Sequence, residues 1–276
     1  MPYIQIRRFV AGVTARGLRV LSDNGADRQA APDEAANTWL KNLRTQGFTM
    51  IDPLLTPKQL DEVNAYLQAS DLVAPNGQRF PTGHAPTGVN VASYSLATML
   101  SCPHVWGLMN HPRMLAVAEA FLGCTPTISG ARIDWYGAHE GGPCDVQQFH
   151  RDYDDWKFLK MFVYLTDVDD DTGPHEYIAR SHLGSGRVRA IPYQPEEIAA
   201  EYGKDAFTRI CGPRGTSFMA DTWGIHKGNV PTRAARVMMQ IQYSIFPVPV
   251  FNYDRVPLAL PSGYSKRANR LLVSTC

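Results

Sequence analysis

Short β-branched and aromatic segments dominate the chain after Gly123, and this pattern limits the possible fold more than any other feature. Clusters of Gly, Pro and Asp separate the segments, for example at 141–143 and 169–174. Many short strands joined by turns are typical of a sandwich or barrel, whereas a parallel sheet requires helices of roughly 10–15 residues between its strands. The predicted strands are Thr127–Tyr136, Lys160–Leu165, Val188–Ile191, Gly215–Met219 and Arg236–Phe246.

Before Gly123 the sequence carries helix signals instead. Asp33 precedes an amphipathic segment that Gly47 ends, and the Thr-Pro-Lys-Gln run at 56–59 has the form of a capping box at the start of a second helix. A third helix is predicted over 112–122. Residues 1–30 are predicted to form a strand or a loose arm. A short strand is predicted over 48–51 and a long surface loop over 71–88.

These patterns together predict one domain over 1–276 that is mainly β with N-terminal helices. We expect a helical N-terminal layer at 1–123, a jelly-roll core at 124–246 and a C-terminal tail at 247–276. A chain of 276 residues can bury most of its apolar surface without cross-links. Its five cysteines are widely spread and form no C-x-x-C pair, which supports neither a disulfide framework nor a thiolate zinc site.

Charge and hydropathy argue against two classes of partner. The chain has 27 Lys and Arg against 26 Asp and Glu, so its net charge of +1 lacks the basic excess of a general nucleic-acid binder. No run of about 18 apolar residues occurs, so we expect no membrane span. The first ten residues lack the continuous apolar core of a signal peptide, and we therefore expect a cytoplasmic location.

A His-x-Asp motif lies at the centre of the chain. Residues i and i+2 of a strand project from the same face, so His150 and Asp152 can present an imidazole nitrogen and a carboxylate oxygen to one point. His226, in the Gly-flanked turn 224–228, can supply a third ligand. Two His and one carboxylate with open opposite positions are the ligand set of non-haem Fe(II) oxygenases. Either motif alone is weak, because an isolated His is usually a packed or surface residue.

Several blocks in a fixed order resemble the phytanoyl-CoA dioxygenase family of Fe(II)/2-oxoglutarate oxygenases. The central blocks are the H-x-D motif at 150–152, a V-Y-L-T-D-V strand at 163–168, an acidic turn with Gly and Pro at 169–174, and a closing Ser-His at 181–182. The segment around the distal His, 215–244, and an N-terminal stretch, 47–67, match as well. One difference is that the family's Pro-Gly-Ser-His ending reads Ala-Arg-Ser-His at 179–182.

This resemblance implies a double-stranded β-helix of the cupin-like type, with His150, Asp152 and His226 as the iron ligands. It also implies an Arg, at the start of the last core strand, that holds the distal carboxylate of 2-oxoglutarate. Arg236 begins the segment that reads as that strand, whereas Arg233 follows Pro-Thr and fits the preceding turn. We therefore expect Arg236 in this role, since a buried carboxylate needs the fixed cationic fork of an Arg.

Other polar and aromatic residues near the motif have two readings each. Trp156 lies four residues after Asp152, where the resemblance implies an aromatic residue beside the cosubstrate, and core packing is the alternative. Gln148 has the same strand parity as His150 and contacts either the cosubstrate or a structural partner. Four further residues are expected to play no part in the chemistry: His175 as a loop or rim residue, His182 as a turn residue, and Lys157 and Lys160 as solvated side chains.

The activity that the resemblance implies is hydroxylation of an unactivated C–H bond of a small-molecule metabolite. Fe(II), 2-oxoglutarate and O₂ are the implied cofactor and cosubstrates, and succinate and CO₂ are the coproducts. The carboxylate at Asp152 favours hydroxylation, since related halogenases carry a small residue there. The alternative is a non-redox metal- or ligand-binding protein of cupin-like fold, because the same side chains also accept zinc. We expect a small-molecule partner, and neither a nucleic acid nor a membrane.

Overall fold

The computed structural model describes residues 3–21, 29–184 and 191–275 of the chain. The helices are α1 Tyr3–Leu21, α2 Glu34–Thr45, α3 Pro57–Gln68, α4 Leu96–Ser101, α5 Val105–Met109, α6 Pro112–Leu122, α7 Pro195–Tyr202 and α8 Lys266–Asn269. The strands are β1 Phe48–Ile51, β2 Asp71–Val73, β3 Arg79–Pro81, β4 Val91–Tyr94, β5 Thr127–Tyr136, β6 Phe158–Tyr164, β7 His175–Ile178, β8 Phe207–Ile210, β9 Ser217–Ala220, β10 His226–Gly228, β11 Arg236–Ser244, β12 Val256–Ala259 and β13 Val273–Thr275.

Two antiparallel sheets form the centre of the molecule. The larger has the strand order β1-β9-β6-β11-β5-β4-β2-β3, and the smaller has the order β10-β7-β8. Side chains from both sheets meet in one apolar cluster that includes Tyr136, Phe162, Tyr177, Phe218 and Met238. The interior between the sheets is therefore filled mainly by aromatic residues.

The larger sheet is covered on its outer face as well, so its central strands are buried on both sides. Every residue of β6 is buried. Leu159, Met161 and Val163 join the cluster that the helices cover, while Phe162 and Tyr164 point between the sheets. Successive residues of a strand point to opposite faces. Lys160 shares the parity of the interior-facing residues, as does Arg236 on β11 beside Met238.

Most of the predicted capping and turn positions are confirmed. Asp33 caps α2 by accepting a hydrogen bond from the backbone N–H of Ala36, and Thr56 and Gln59 form the reciprocal capping box of α3. Gly47 and Gly123 follow helix ends with φ of 91° and 89°, in the left-handed region that favours glycine. These signals act over a few residues, which is why they can be read from sequence.

The prediction for residues 1–30 was wrong where the structure describes them, because 3–21 form the helix α1. Its buried positions Arg7, Ala11 and Ala15 follow helical spacing. Two of them are small alanines, so the hydrophobic pattern was weak, while Ile4, Ile6 and Val10 favoured a strand. Whether this segment forms a helix or a strand depends on the residues that it packs against in the folded protein.

The predicted surface loop at 71–88 was also wrong, since it contains the β2–β3 hairpin at one edge of the larger sheet. Leu72 pairs with Phe80 across the hairpin, and both side chains are buried. Strands β1 to β4 all lie within 1–123, so this N-terminal part is not purely helical. Of the strand predicted at 188–191, residues 188–190 lie outside the described residues, and Ile191 is in none of the strands.

The tail beyond residue 246 holds β12, α8 and β13 and buries Leu272 and Val273 in the large core cluster. The division of the chain at 123 and 246 stays a prediction. None of the described helices combines the length and apolar character needed to cross a membrane.

Candidate metal centre

His150 and His226 face each other across a short antiparallel bridge. The N–H of His150 donates to the carbonyl of His226 at 2.9 Å, and the N–H of His226 donates back at 3.0 Å. The N–H of Asp152 donates to the carbonyl of Thr222 at 2.9 Å. The motif therefore lies on an extended segment rather than in a full strand, and its backbone is tied to the 222–226 turn and to the start of β10.

This pairing brings three candidate ligands to one point. Nε2 of His150 lies 3.6 Å from Oδ1 of Asp152, and Nε2 of His226 lies 3.5 Å from Oδ2. The ligand atoms of all three residues lie within 4.8 Å of one another. Metal–nitrogen and metal–oxygen bonds of roughly 2.0–2.2 Å place neighbouring donor atoms about 3–4 Å apart, so one divalent ion fits between them with little movement.

Both imidazoles are held in the orientation and tautomer that metal binding needs. Nδ1 of His150 lies 2.8 Å from the carbonyl of Gln148, and Nδ1 of His226 lies 2.9 Å from that of Gly224. A carbonyl accepts only, so each Nδ1 carries the proton and each Nε2 keeps its lone pair for a metal. The side chains of His150, Asp152 and His226 are 27%, 17% and 6% exposed, so solvent reaches the site from the His150 side.

The charges of the site suit a cation as well. Burial, followed by the neighbouring His150, lowers the pKa of His226 to about 3. Burial alone would raise the pKa of Asp152, but the cation of Lys160 and the nearby His226 outweigh it and hold that pKa well below its usual range. The site thus presents an ionised carboxylate and a neutral His226 imidazole near neutral pH, which are the forms that bind metals.

Lys160 was predicted to be solvated, and this prediction was wrong. Its side chain is 8% exposed, and Nζ donates to Oδ2 of Asp152 at 2.7 Å and lies 3.3 Å from Oδ2 of Asp154. Lys160 has the same parity on β6 as Phe162 and Tyr164, which point between the sheets, so the strand directs its amine to the same interior. Nζ neutralises Asp152 and fixes one of its oxygens.

His175 was predicted to lie in a loop or at the rim, and this prediction was also wrong. It begins β7, is 3% exposed, and its ring stacks on that of His226 with centroids 5.4 Å apart. It lies outside the group of candidate ligands. Nε2 of His182 donates to the carbonyl of Arg44 at 3.2 Å, and His182 also lies outside the group of candidate ligands.

Arg236 and Arg233 have different surroundings. The guanidinium of Arg236 is buried, 1% exposed, and lies 4.5 Å above the ring of Tyr136. Its Nη1 donates to the carbonyl of Gly173, and its Nε has no partner among the described residues. A Cβ at Gly228, two residues after His226, would lie 2.9 Å from Nη2 of Arg236, so this glycine leaves room for the guanidinium.

Arg233 instead pairs with Asp169 at the surface, with more than half of both side chains exposed. Of these two arginines, Arg236 thus combines burial, a spare donor and closeness to the strand that carries His226.

Comparison with known proteins identifies the family. The phytanoyl-CoA dioxygenase family matches residues 43–231, which is more than half of the chain. The chain belongs to the phytanoyl-CoA dioxygenase family. No curated protein matches it closely enough to count as a relative.

Solved structures of the same fold include iron enzymes. SnoK, an α-ketoglutarate-dependent carbocyclase of nogalamycin biosynthesis, is 17% identical with a TM-score of 0.56, over 78% of this chain and 87% of SnoK. EctD from S. alaskensis with bound Fe is 16% identical with a TM-score of 0.57, over 90% of this chain and 91% of EctD. HygX from Streptomyces hygroscopicus, bound to nickel, 2-oxoglutarate and hygromycin B, is 16% identical with a TM-score of 0.53, over 81% and 92%.

At these identities the likeness shows the fold alone, and it confirms the predicted mainly-β jelly roll with N-terminal helices. Iron and 2-oxoglutarate, the predicted cofactor and cosubstrate, are each bound in such structures. Helix α1 lies before the part of the chain that matches the family.

Gln148 and Trp156, the other two residues expected near the cosubstrate, lie in different surroundings from each other. The amide of Gln148 donates to the carbonyl of Pro143 at 3.2 Å, so the side chain turns to a loop while its own carbonyl orients His150. Trp156 is 45% exposed and lines a cavity, so core packing is not its role. Contact of either side chain with the cosubstrate stays a prediction.

Sequence reasoning missed the part played by Arg151, the middle residue of the H-x-D motif. Its side chain points away from the ligands, and Nη1 donates to the carbonyls of Ser181 and Trp223 at 3.0 and 2.6 Å. The hydroxyl of Ser181 in turn accepts the N–H of Ile225 at 2.7 Å. These bonds fasten the H-x-D segment to the turn that carries His226. Strand parity was the available signal, since Arg151 must face away from its two neighbours.

Proposed function

We propose that this protein is a non-haem Fe(II)/2-oxoglutarate-dependent dioxygenase that hydroxylates an unactivated C–H bond of a small molecule. The observation that carries the proposal is the convergence of two Nε2 atoms and one carboxylate on a single point, with both Nδ1 protons held by backbone carbonyls. Membership of the phytanoyl-CoA dioxygenase family supports it.

His150, Asp152 and His226 would hold the iron and leave the opposite positions open. When both are bound, the iron and 2-oxoglutarate supply the oxidation: one oxygen atom of O₂ enters the substrate C–H bond as a hydroxyl, and the other enters the succinate that forms with CO₂. The chain itself positions the reactants. Lys160 fixes the carboxylate, the two carbonyls fix the imidazoles, and the aromatic residues between the sheets exclude water.

Arg236 would bind the distal carboxylate of 2-oxoglutarate. A buried guanidinium with a free Nε and room at Gly228 is a fixed cationic fork, and a carboxylate can accept two parallel hydrogen bonds from it. Tyr136 below the guanidinium limits its movement.

We expect Arg236→Gln to raise the KM for 2-oxoglutarate by about 10–100-fold, since one charge-assisted contact is worth roughly 1.5–3 kcal/mol. Fe(II) affinity should stay within about threefold of the native value, because Arg236 does not bind the metal. Succinate release at varied 2-oxoglutarate is the measurement, and Arg233→Gln is the matched control. An unchanged KM in Arg236→Gln, or an equal rise in Arg233→Gln, would contradict the assignment.

The visible spectrum distinguishes this oxygenase from a metal-binding protein without redox chemistry. Metal-free protein would be mixed under anaerobic conditions with Fe(II), then with 2-oxoglutarate. We expect a charge-transfer band that needs both additions and is absent in His150→Ala. Tight zinc binding without such a band would favour the non-redox alternative, because the same ligands accept zinc.

The reaction outcome is tested by the product. Among the structural neighbours, SnoK is a carbocyclase and SnoN an epimerase, so the fold alone does not select hydroxylation. We expect a product heavier than its substrate by one oxygen atom, and that atom should come from O₂ labelled with oxygen-18. A product without the label would contradict hydroxylation.

A further inference from the structure

A cavity of about 740 Å³ lies beside the candidate metal centre and takes one wall from α1. Its walls include Trp156, Trp223, Phe246 and Pro247, together with Arg7 of α1. Cavities of roughly 300–1,000 Å³ with mostly apolar walls are typical of small-molecule sites. Helix α1 lies outside the part of the chain that matches the family, residues 43–231.

The cavity adjoins the metal ligands through the residues that follow Asp152. Tyr153 lines it and packs edge-on against Trp223, with ring centroids 5.4 Å apart. Asp154 also lines it and shares the amine of Lys160 with Asp152. The cavity is therefore joined to the candidate ligand Asp152 through Asp154 and the amine of Lys160.

Arg7 is a buried cation with few protein partners. It is 9% exposed, and its guanidinium stacks on the ring of Trp223 at 3.8 Å. Nη2 reaches the carbonyl of Asp155 at 3.5 Å, and Nε has no partner among the described residues. Burial is the main cause that lowers its pKa to about 10, so the side chain still carries its charge at neutral pH. The nearby carboxylates of Asp221 and Asp155 raise this pKa in part without forming an ion pair, so the unpartnered Nε–H of a buried guanidinium points to a partner supplied from outside.

The carboxylates around Arg7 already have other partners. Oδ2 of Asp155 accepts the N–H groups of Ile245 and Phe246 at 2.7 and 2.9 Å. Asp154 pairs with Lys160, and Oδ1 of Asp221 accepts the N–H of Trp223 at 3.2 Å. Within 3–21, 29–184 and 191–275, no ion pair joins Arg7 to a carboxylate. Arg7 is therefore the cation among the lining residues, beside Asp154 and Asp155, and its Nε–H is left as a donor for a ligand.

We propose that this cavity binds the substrate and that the substrate is an apolar or aromatic molecule with an anionic group, which pairs with Arg7. The proposal rests on the oxygenase function proposed above and specifies the substrate class. The apolar body contacts Trp156, Trp223, Phe246 and Pro247, and the guanidinium donates hydrogen bonds to a carboxylate, sulfonate or phosphate. Arg7 is then a specificity-determining residue that α1 contributes.

The binding test needs neither iron nor turnover. Anilinonaphthalene sulfonate is an aromatic anion, and phenylnaphthylamine is its uncharged parent, so the ratio of their affinities reports the contribution of the anionic group. We expect Arg7→Gln to lower this ratio at least about tenfold, the typical value of a charge-assisted contact. Arg7→Lys should keep most of it. Arg8→Gln is the matched control on the same helix, because Arg8 reaches the carbonyl of His182 instead.

An unchanged ratio in Arg7→Gln would overturn the proposal. So would a ratio that falls as far in Arg8→Gln, since the effect would then be a general loss of charge or of helix packing. Using a ratio keeps the result independent of how much apolar surface each variant exposes.

A second measurement separates this proposal from the oxygenase function. With Fe(II) and 2-oxoglutarate present, apolar carboxylic acids should stimulate succinate release more than their amides, and Arg7→Gln should remove this preference. Equal stimulation by acids and amides would overturn the substrate class while leaving the oxygenase intact. Arg7-dependent sulfonate binding without any 2-oxoglutarate turnover would support the anion site and contradict the proposed function.

Discussion

Asp152→Asn should lose both Fe(II) binding and 2-oxoglutarate turnover. The amide keeps the shape of the side chain but removes the charge and one acceptor from the group formed with His150 and His226. Loss of residues that only orient a metal ligand weakens binding by about 10–100-fold, so loss of a ligand should exceed about 100-fold. Calorimetric titration with Fe(II) under anaerobic conditions measures the affinity, and succinate release measures the turnover.

Asp154→Asn is the matched control for this prediction. Asp154 lies two residues further along, also contacts Lys160, and is not among the candidate ligands. We expect its Fe(II) affinity to stay within about threefold of the native value, the scatter typical of single contacts. Equal losses in the two variants would show that the acidic character of the segment, rather than the triad, binds the metal.

Lys160→Met should have opposite effects on folding and on metal affinity. Nζ of Lys160 is the cation that Asp152 and Asp154 share in a buried setting. Removing one partner of a buried ion pair typically destabilises the fold by about 3–5 kcal/mol, because the remaining charges are left uncompensated. A bound divalent ion would replace the missing cation. Because the ammonium group would no longer repel that ion, the metal affinity should rise.

Urea unfolding with a chelator and with a saturating divalent metal tests this directly. Ligand that binds only the folded state stabilises it by about 2.7 kcal/mol at a concentration of 100 times Kd. The native protein gains stability from the metal too, so the deficit narrows only as far as the variant binds the metal more tightly. We therefore expect the variant to be much less stable than the native protein with chelator, and the deficit to be smaller with metal. Lys157→Met is the control, since Lys157 contacts the ring of Phe121 rather than a carboxylate. An equal deficit with and without metal would mean that Lys160 acts by packing alone.

Local signals in the sequence were sufficient for many elements. The caps at Asp33 and Thr56 and the stops at Gly47 and Gly123 involve atoms within four residues of each other, so no distant part of the chain is needed to explain them. The long strands β5 and β11 were recognisable from their β-branched and aromatic residues.

Elements whose stability comes from distant partners were not predictable in the same way. β7, β8 and β10 contain three or four residues each and exist because they pair with one another. Likewise α1 is buried through small residues whose packing partners are far along the chain. The intrinsic helix or strand propensity of so few residues is outweighed by tertiary contacts.

For the candidate site, the sequence by itself determined which side chains are available: the H-x-D motif, a distal His and an Arg at the start of a late strand. Only the tertiary structure decided what surrounds them. The pairing of β6 and β11 turned Lys160 and Arg236 to the same interior, and the docking of α1 placed Arg7 over Trp223. Burial and ion pairing depend on atoms that are distant in sequence, so a solvated lysine and a buried one look the same until the chain is folded.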